Sequence, residues 1–435
     1  MFTRWHRFGL CVFLVAMLNI TGNKAQSQDS PKSVIQTDRV FASSPKDSLE
    51  VRHLVLKGSN EDIGRTLALL AKDRYHVQPL PSQDRLRTRA QRHYIEKNFP
   101  ILHDRMKGVA LAFGKHLDDD AWNFGDLTFM DLHAGCSVLY FPPNLTTTGT
   151  GIVSRDYDFT TGAFGGVPLA PGQLHPTARP YLLELHPDRG YASLSMVAYD
   201  FLNGVIDGIN SEGLTVALLA DDELMNKYKM EPTYGATAGL GALQTLRLLL
   251  DTCANVDEAK EALLQTKQYY EFIPVHYLIA DRFGKSFLWE YSQAHNKEYI
   301  IENSGKALVT TNFSQHRYLE NGKPPSAAKA KMICPRYCLL TEQLTAHTGK
   351  VSEDFIKETH RKVDATQPIS TLSARPTNRT LWHALYYPEQ RRVQINYYLR
   401  DDPIPDEPDK MRIVRSEYFE FQLKSGNNPK PAQSN

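Results

Sequence analysis

The pair Gly135-Cys136, within His133-Ala134-Gly135-Cys136-Ser137, lies where a helix-rich stretch gives way to a succession of strand-like runs. A free thiol titrates near pH 8.5 and a free α-amine at about 7.7–8.0. Scission between Gly135 and Cys136 would place both groups on one residue. The amine could then take the thiol proton, directly or through a water, with no histidine needed. Gly135 suits a strained scissile turn that tolerates no bulky side chain before the cysteine. The plainer alternative is a buried structural cysteine after a turn glycine. Further on stands Ser154-Arg155-Asp156-Tyr157-Asp158-Phe159. A guanidinium at Arg155 near the thiol favours thiolate, and a carboxylate at Asp158 would hold the new ammonium. An ordinary strand-end ion pair is the alternative. In an unbroken strand, residues three apart face opposite ways. Both therefore reach Cys136 only if the strand bends or ends near Tyr157.

Asn312 ends the apolar run Leu308-Val309-Thr310-Thr311, where its amide can donate to an oxyanion or simply form a turn. Arg336 opens a helix after Pro335 and could bind a substrate carboxylate, support Cys136, or stay solvated. Other chemistries lack their residues: there is no H-E-x-x-H, G-x-S-x-G, phosphate-loop or dinucleotide fingerprint. His133 stands three residues before Cys136, a spacing that assigns it no papain-like role. Asn144, Asn312 and Asn378 open glycosylation sequons, which matter only for a eukaryotic source. Cys334 and Cys338 lie one helical turn apart, wider than a disulfide wants. They have no partner pair for zinc nearby, and Cys253 lies on an apolar helix face. No cofactor and no metal are expected.

The elements that must position these groups are legible from pattern. Residues 49–56 read as a strand. Asn60-Glu61-Asp62 opens a helix with an apolar stripe, and residues 82–118 read as further helix. After Cys136 come strand-like runs at 137–141 and 151–159, then at 180–186 and 192–201. Hairpins follow around Asn210-Ser211-Glu212-Gly213, Asp281-Arg282-Phe283-Gly284 and Pro388-Glu389-Gln390. Residues 416–423 make a last strand. Leucine-rich helix spans 239–254, and Asn255 caps the next, with Glu258 at the capping-box position. Hairpins outnumber strand-helix-strand crossovers, which points to α+β with antiparallel sheets and away from a Rossmann-type sheet.

The 435 residues suffice for one large or two modest domains, and 41% hydrophobic with 23% charged residues is ordinary globular composition. Residues 1–25 carry Arg4, Arg7 and Lys24 and no acid, with an apolar run at 8–20. They read as a secretory signal, with an uncleaved anchor as the alternative. Their removal takes the formal charge from +1 to −2. Such a balance gives no electrostatic reason to expect nucleic acid or an anionic membrane as partner. The expected organisation is a signal at 1–25, a flexible leader at 26–50 and a helix-rich segment at 51–135. A catalytic domain at 136–400 and a C-terminal strand with loose tail at 401–435 complete it.

Taken together, these motifs resemble the N-terminal-nucleophile cysteine hydrolases. That group includes choloylglycine (bile salt) hydrolase, penicillin V acylase and, closer in layout, the isopenicillin-N acyltransferase family. The resemblance covers most of residues 51–400. It rests on Gly135-Cys136-Ser137, Ser154 to Phe159, the hairpin Asp207-Gly208-Ile209-Asn210-Ser211-Glu212-Gly213-Leu214, Thr311-Asn312 and Pro335-Arg336-Tyr337. It implies a four-layer αββα sandwich of two antiparallel sheets with a helical N-terminal precursor segment. By the same resemblance, Gly135-Cys136 is the self-cleavage junction, Cys136 nucleophile and base, and Arg155 and Asp158 its flanking pair. Asn312 becomes an oxyanion donor and Arg336 a support. Ala220 stands where the bile salt hydrolases have a second oxyanion Asn, so that donor is a backbone N–H or Asp221 reshapes the pocket. The expectation is an exported, self-processed amidohydrolase acting on a small linear, non-peptide amide. Its cleaved N-terminal segment is a possible second chain and a homo-oligomer is possible. Acyl transfer, or a secreted binding protein that keeps only the fold, are the alternatives.

Overall fold

A computed structural model of the chain describes residues 34–129, 135–162, 174–221, 238–269, 274–292, 297–302, 305–319, 325–366, 378–405 and 407–424. The signal at 1–25 and His133 lie outside the described residues. Strands β1 (Ile35–Ala42) and β2 (Val51–Gly58) precede three helices, α1 (Asn60–Tyr75), α2 (Arg85–Asn98) and α3 (Pro100–Ala112). Then come β3 (Gly135–Phe141), β4 (Ile152–Thr160), β5 (Tyr181–Pro187), β6 (Ser193–Val197), β7 (Val205–Asn210) and β8 (Thr215–Ala220). Helices α4 (Ala242–Thr252) and α5 (Val256–Gln265) interrupt the meander before β9 (Val275–Ala280), β10 (Ser286–Ser292), β11 (Lys297–Glu302) and β12 (Leu308–Thr310). Helices α6 (Pro335–Ala346) and α7 (Glu353–Arg361) lead to β13 (Asn378–Tyr387), β14 (Arg392–Ile404), β15 (Glu407–Arg415) and β16 (Phe419–Gln422).

Two large sheets result. One has the order β1-β2-β5-β6-β7-β8-β9-β10-β11; the other runs β12-β3-β4-β13-β14-β15, with β16 also on β14. Every pair in them is antiparallel except β2 with β5, which is parallel. The sheets face each other: Cys136, Val138 and Tyr140 of β3 and Tyr157 of β4 share one core with Val216 and Leu218 of β8. Helices α1 to α3 cover the outside of the nine-stranded sheet, with Leu54, Leu56, Leu183 and Leu185 beneath them. On the other side, Tyr337 and Leu340 of α6 and Ile356 of α7 cover Leu139, Phe141, Ile152 and Leu385. The layering is αββα, as the resemblance implies.

Local chemistry explains the boundaries. Ser59 caps α1 by accepting the Asp62 N–H at 3.1 Å, and Asn255 caps α5 through the Glu258 N–H at 3.0 Å. The stretch 82–118 is not one helix. It breaks at Phe99, because Pro100 opens α3 at a position where its missing N–H costs nothing and disfavours helical backbone before it. The stretch expected to be a flexible leader contains β1, an edge strand whose half-exposed polar residues hid its pairing with β2. The C-terminal region holds two strands, β15 and β16, rather than one. Helices α1 and α3 cross at two glycines: a Cβ on Gly64 would lie 2.1 Å from Arg105 O, and one on Gly108 would lie 1.9 Å from Glu61 O. No helix among the described residues is long and apolar enough to cross a membrane.

The helical layer is pinned by charge. Arg105 of α3 and Asp251 of α4, both wholly buried, pair at 2.6 and 3.2 Å, and Arg247 reaches the same carboxylate at 3.2 Å. Burial pushes Arg247 down to about 10, against the pull of Asp251. Removing Asp251 would strand two buried cations. Asp251→Ala is expected to lower the unfolding free energy by about 3–5 kcal/mol. Asp118→Ala, at an exposed carboxylate 3.7 Å from Arg92, should cost less than about 1 kcal/mol. Urea unfolding of both variants measures the contrast, and equal losses would refute it.

Candidate active site

Strand β3 starts at Gly135 and is sandwiched between β12 and β4. Its register sets Gly135 opposite Asp158 and Cys136 opposite Tyr157. Gly135 is therefore in extended strand and not in a strained turn, which corrects the expectation. Its lack of a side chain answers a close approach instead: a Cβ there would sit 3.2 Å from Asp158 Cβ and 3.5 Å from Asp158 Oδ2.

Strand β4 does not bend to bring Arg155 and Asp158 together. Its odd residues, Val153, Tyr157 and Phe159, line the space between the sheets, and Arg155 shares that face by alternation. Asp158 faces the helices α6 and α7. The extra residue is on the neighbouring strand, where β13 pairs Thr380 with Asp158 but Trp382 with Tyr157. Arg155 and Asp158 thus reach different parts of residue 136. The Arg155 charge favours the thiolate of Cys136, while Asp158 lies against the Gly135 backbone.

Between the sheets, Arg155 is wholly buried. It donates to Leu218 O at 3.0 Å and to Asp156 O, and stands 3.4 Å from Asp207 Oδ2. Asp207 in turn accepts from Trp382 Nε1 at 3.0 Å and from the Tyr386 hydroxyl. Burial raises the Asp207 carboxyl, opposed first by Arg155. Burial alone would weaken the Arg155 guanidinium, but Cys136 and Asp207 hold its pKa above the usual value. Cys136 is fully enclosed, and burial pushes its thiol up; Arg155 and Arg336 oppose this and Asp158 adds to it.

On the other face, Arg336 gathers three acceptors. Nη1 donates to Asp158 Oδ2 at 2.7 Å and to Cys136 O at 3.1 Å, and Nη2 donates to Asn312 Oδ1 at 2.6 Å. Asn312 Oδ1 also accepts the Cys136 N–H at 2.6 Å. Two donors on that atom orient the carboxamide, so its Nδ2 donates to Ala220 O at 2.7 Å. Asn312 sits two residues past the end of β12 and grips the amide nitrogen of residue 136. Ala220 contributes its carbonyl to this contact, and the buried Asp221 accepts from the Ser314 hydroxyl. Thr380 Oγ1 completes Asp158 by donating to Oδ1 at 2.6 Å.

All five expected residues, Cys136, Arg155, Asp158, Asn312 and Arg336, are brought together with Gly135. The sequence placed Asp207 in a hairpin motif without a role in the site, and gave Thr380 none. Asp207 carried a signal, since an acid within Val205-Ile206-Asp207-Gly208-Ile209 must be buried and paired; Thr380 carried none. All four cysteines among the described residues are free, and Cys253 is buried with its thiol pushed up to about 12 by that burial.

A family model described as acyl-coenzyme A:6-aminopenicillanic acid acyl-transferase matches residues 175–399, just over half of the 435. The match includes Asn312 and Arg336 and begins after Cys136, Arg155 and Asp158. No curated protein matches the sequence. Among solved structures, a variant of conjugated bile acid hydrolase from Clostridium perfringens shares 16% identity, covering 67% of this chain and 100% of that one, at a TM-score of 0.40. Penicillin V acylase from Agrobacterium tumefaciens shares 16% over 60% of this chain and 82% of that one, at 0.39. The Caenorhabditis elegans ortholog of N-acylethanolamine-hydrolyzing acid amidase shares 15% over 65% and 99%, at 0.34.

Alkylation requires the thiolate, so the raised pKa of Cys136 makes a testable statement about the uncut chain. Labelling of Cys136 by iodoacetamide should be slower at neutral pH than that of the less buried Cys334 and should climb as the solution turns alkaline. Arg155→Met removes the main group opposing burial and should slow labelling at fixed pH, by about tenfold for each unit of added pKa; Arg336→Met should do so less. Peptide mass spectrometry on folded protein reads the rates. Labelling of Cys136 that outpaces Cys334 at pH 7, or is indifferent to Arg155→Met, contradicts the assignment.

Proposed function

Because the chain belongs to the acyl-coenzyme A:6-aminopenicillanic acid acyl-transferase family, and is therefore an amide hydrolase or acyltransferase, we propose that it is an exported cysteine amidohydrolase that cuts itself between Gly135 and Cys136. The observation that carries this reading is the grip on residue 136. Asn312 holds its amide nitrogen and Arg336 its carbonyl oxygen, and the Arg155 charge opposes the rise that burial gives its thiol pKa.

In the maturation step, the Cys136 sulfur attacks the Gly135 carbonyl carbon. The C–N bond breaks, the acyl group passes to sulfur, and the nitrogen leaves as the free α-amine of Cys136. Water then hydrolyses the thioester, giving a Gly135 carboxylate and a free thiol. The new amine lies beside Asp158 and Asn312 Oδ1. It takes the thiol proton when a substrate amide arrives. Arg155 favours the thiolate so formed. Once residue 136 ends in an amine, Asn312 turns Nδ2 from Ala220 O toward the substrate oxyanion. The substrate amine departs with a proton, and water resolves the second thioester. The substrate is a small linear amide, and the basic start and apolar run within residues 1–25 support export.

Acyl transfer is the second reading, favoured by the family description. It predicts amide synthesis when a thioester donor and an amine are supplied together. A non-catalytic binding protein would instead remain one chain.

Intact mass and N-terminal sequencing of purified protein should reveal two chains, the second beginning Cys136-Ser137-Val138-Leu139-Tyr140, and Cys136→Ala should leave one. Asn312→Ala should lower kcat on an amide by about 10²–10³-fold. A single uncut chain that still cleaves amides, or processing unchanged in Cys136→Ala, would sink the mechanism.

A further inference from the structure

Directly behind the Asp158 side of the site, β4, β13 and α7 enclose a second group of chemistry-bearing side chains that the proposed reaction does not use. Ser154 and Asp156 come from β4, His383 from β13 and His360 from α7. They are 0%, 1%, 5% and 1% exposed. Ser154 Oγ stands 2.7 Å from His360 Nδ1 and 2.8 Å from His383 Nε2, and Asp156 Oδ2 lies 4.0 Å from His360 Nδ1. The donor atoms of Asp156, His360 and His383 all lie within 4.8 Å of one another.

Among the described residues, neither Asp156 oxygen has a hydrogen-bond partner, nor has Ser137 Oγ on the facing strand or His360 Nε2. A wholly buried carboxylate with no donor is costly. The one serine hydroxyl carries a single hydrogen, so it donates to one imidazole and must accept from the other. That leaves nothing for Asp156. Asp364 and Asp158 raise the pKa of this buried carboxylate and Arg415 and Arg155 lower it, and Arg415 is already 3.9 Å from Asp364.

We propose that Asp156, His360 and His383 form a buried site for a divalent transition-metal cation of the zinc type, with Ser154 Oγ closing a four-coordinate shell. Zinc takes imidazole nitrogen and carboxylate oxygen at about 2.0–2.2 Å in a tetrahedron, which places neighbouring donors about 3.4 Å apart. The observed separations of 2.7, 2.8 and 4.0 Å bracket that value. Tyr418 stands 2.6 Å from His383 Nδ1 and fixes the ring, as a second partner of a metal-bound imidazole does. A closed shell of this kind, with no open position, is structural. The cation would tie α7 to the sheet two residues from Asp158.

The test uses the full-length purified protein. After treatment with a strong chelator and desalting, it is titrated with Zn²⁺ at neutral pH, with metal content read by elemental analysis and thermal midpoint read in parallel. One equivalent of zinc, raising the midpoint, is expected. Asp156→Asn and His360→Gln should weaken zinc at least tenfold, with circular dichroism confirming that each variant is folded. Co²⁺ in place of Zn²⁺ should show ligand-field bands without a thiolate-to-cobalt charge-transfer band. Folded wild-type protein that takes up no zinc overturns the proposal and leaves a protonated Asp156 in an ion-free cluster. Unchanged zinc stoichiometry and affinity in both variants, or a thiolate band pointing to Cys334 and Cys338, overturns it as well.

Discussion

Side-chain alternation along β4 governs what can touch residue 136. A strand in the middle of a sheet sends successive side chains to opposite faces. Arg155 accordingly acts on the Cys136 thiol by its charge in the space between the sheets, while Asp158 meets the Gly135 backbone under α6. The thiol and the amide are served from two compartments that share only the backbone of β3. This division gives the thiol and the carboxylate beside the amide a cation each, Arg155 and Arg336. The extra residue in β13, Leu381, shifts that strand's register next to Asp158 and brings Thr380 Oγ1 onto its carboxylate.

The inner compartment depends on Asp207. A guanidinium with no exposure costs several kcal/mol unless it is paired and hydrogen-bonded. Asp207 comes from β7 of the opposite sheet and is itself held by Trp382 and Tyr386 of β13. The pair therefore also registers one sheet against the other. In the outer compartment Arg336 lies in the first turn of α6, where the helix dipole disfavours a cation. Three oxygens offset this: Asp158 Oδ2, Cys136 O and Asn312 Oδ1. Hydrogen bonds to charged groups contribute about 1.5–3 kcal/mol each, enough to hold Arg336 there although its side chain is 28% exposed.

Much of this was legible in the sequence because hairpins announce themselves. Gly213 and Gly284 adopt φ of 84° and 80° at the two turns where the pattern placed them, and Asn255 and Pro335 begin helices as their chemistry dictates. The five site residues were readable only as an ordered set, since each alone has a commoner structural use. What escaped is what depends on tertiary neighbours. Edge strand β1 is polar because one side of its ladder faces away from the sheet. Thr380 touches Asp158 only through a register shift. The objection that Arg155 and Asp158 cannot share a face was sound; it failed because they serve different atoms of one residue. His360 was invisible because α7 is rich in charge, with only Ile356, Thr359 and His360 buried.

The same geometry bears on what backbone scission at Gly135 would release. The segment before it is no appendage. β2 pairs in parallel with β5 from Arg52–Tyr181 to Gly58–Pro187, so it forms an interior strand of the nine-stranded sheet, with β1 at the edge beside it. Arg105 of α3 is locked to Asp251 of α4, and Asn60 of α1 donates to Asp188 and Arg189 O beyond β5. Leu54, Leu56, Leu183 and Leu185 share one core with α1 and α3. Detaching the segment would expose that core and leave Asp251 with only Arg247. A burial of this kind outweighs the entropy that one broken peptide bond restores. A cut chain would therefore persist as a two-chain unit. The described part of the N-terminal segment would then stay joined to the rest through β2, α1 and α3.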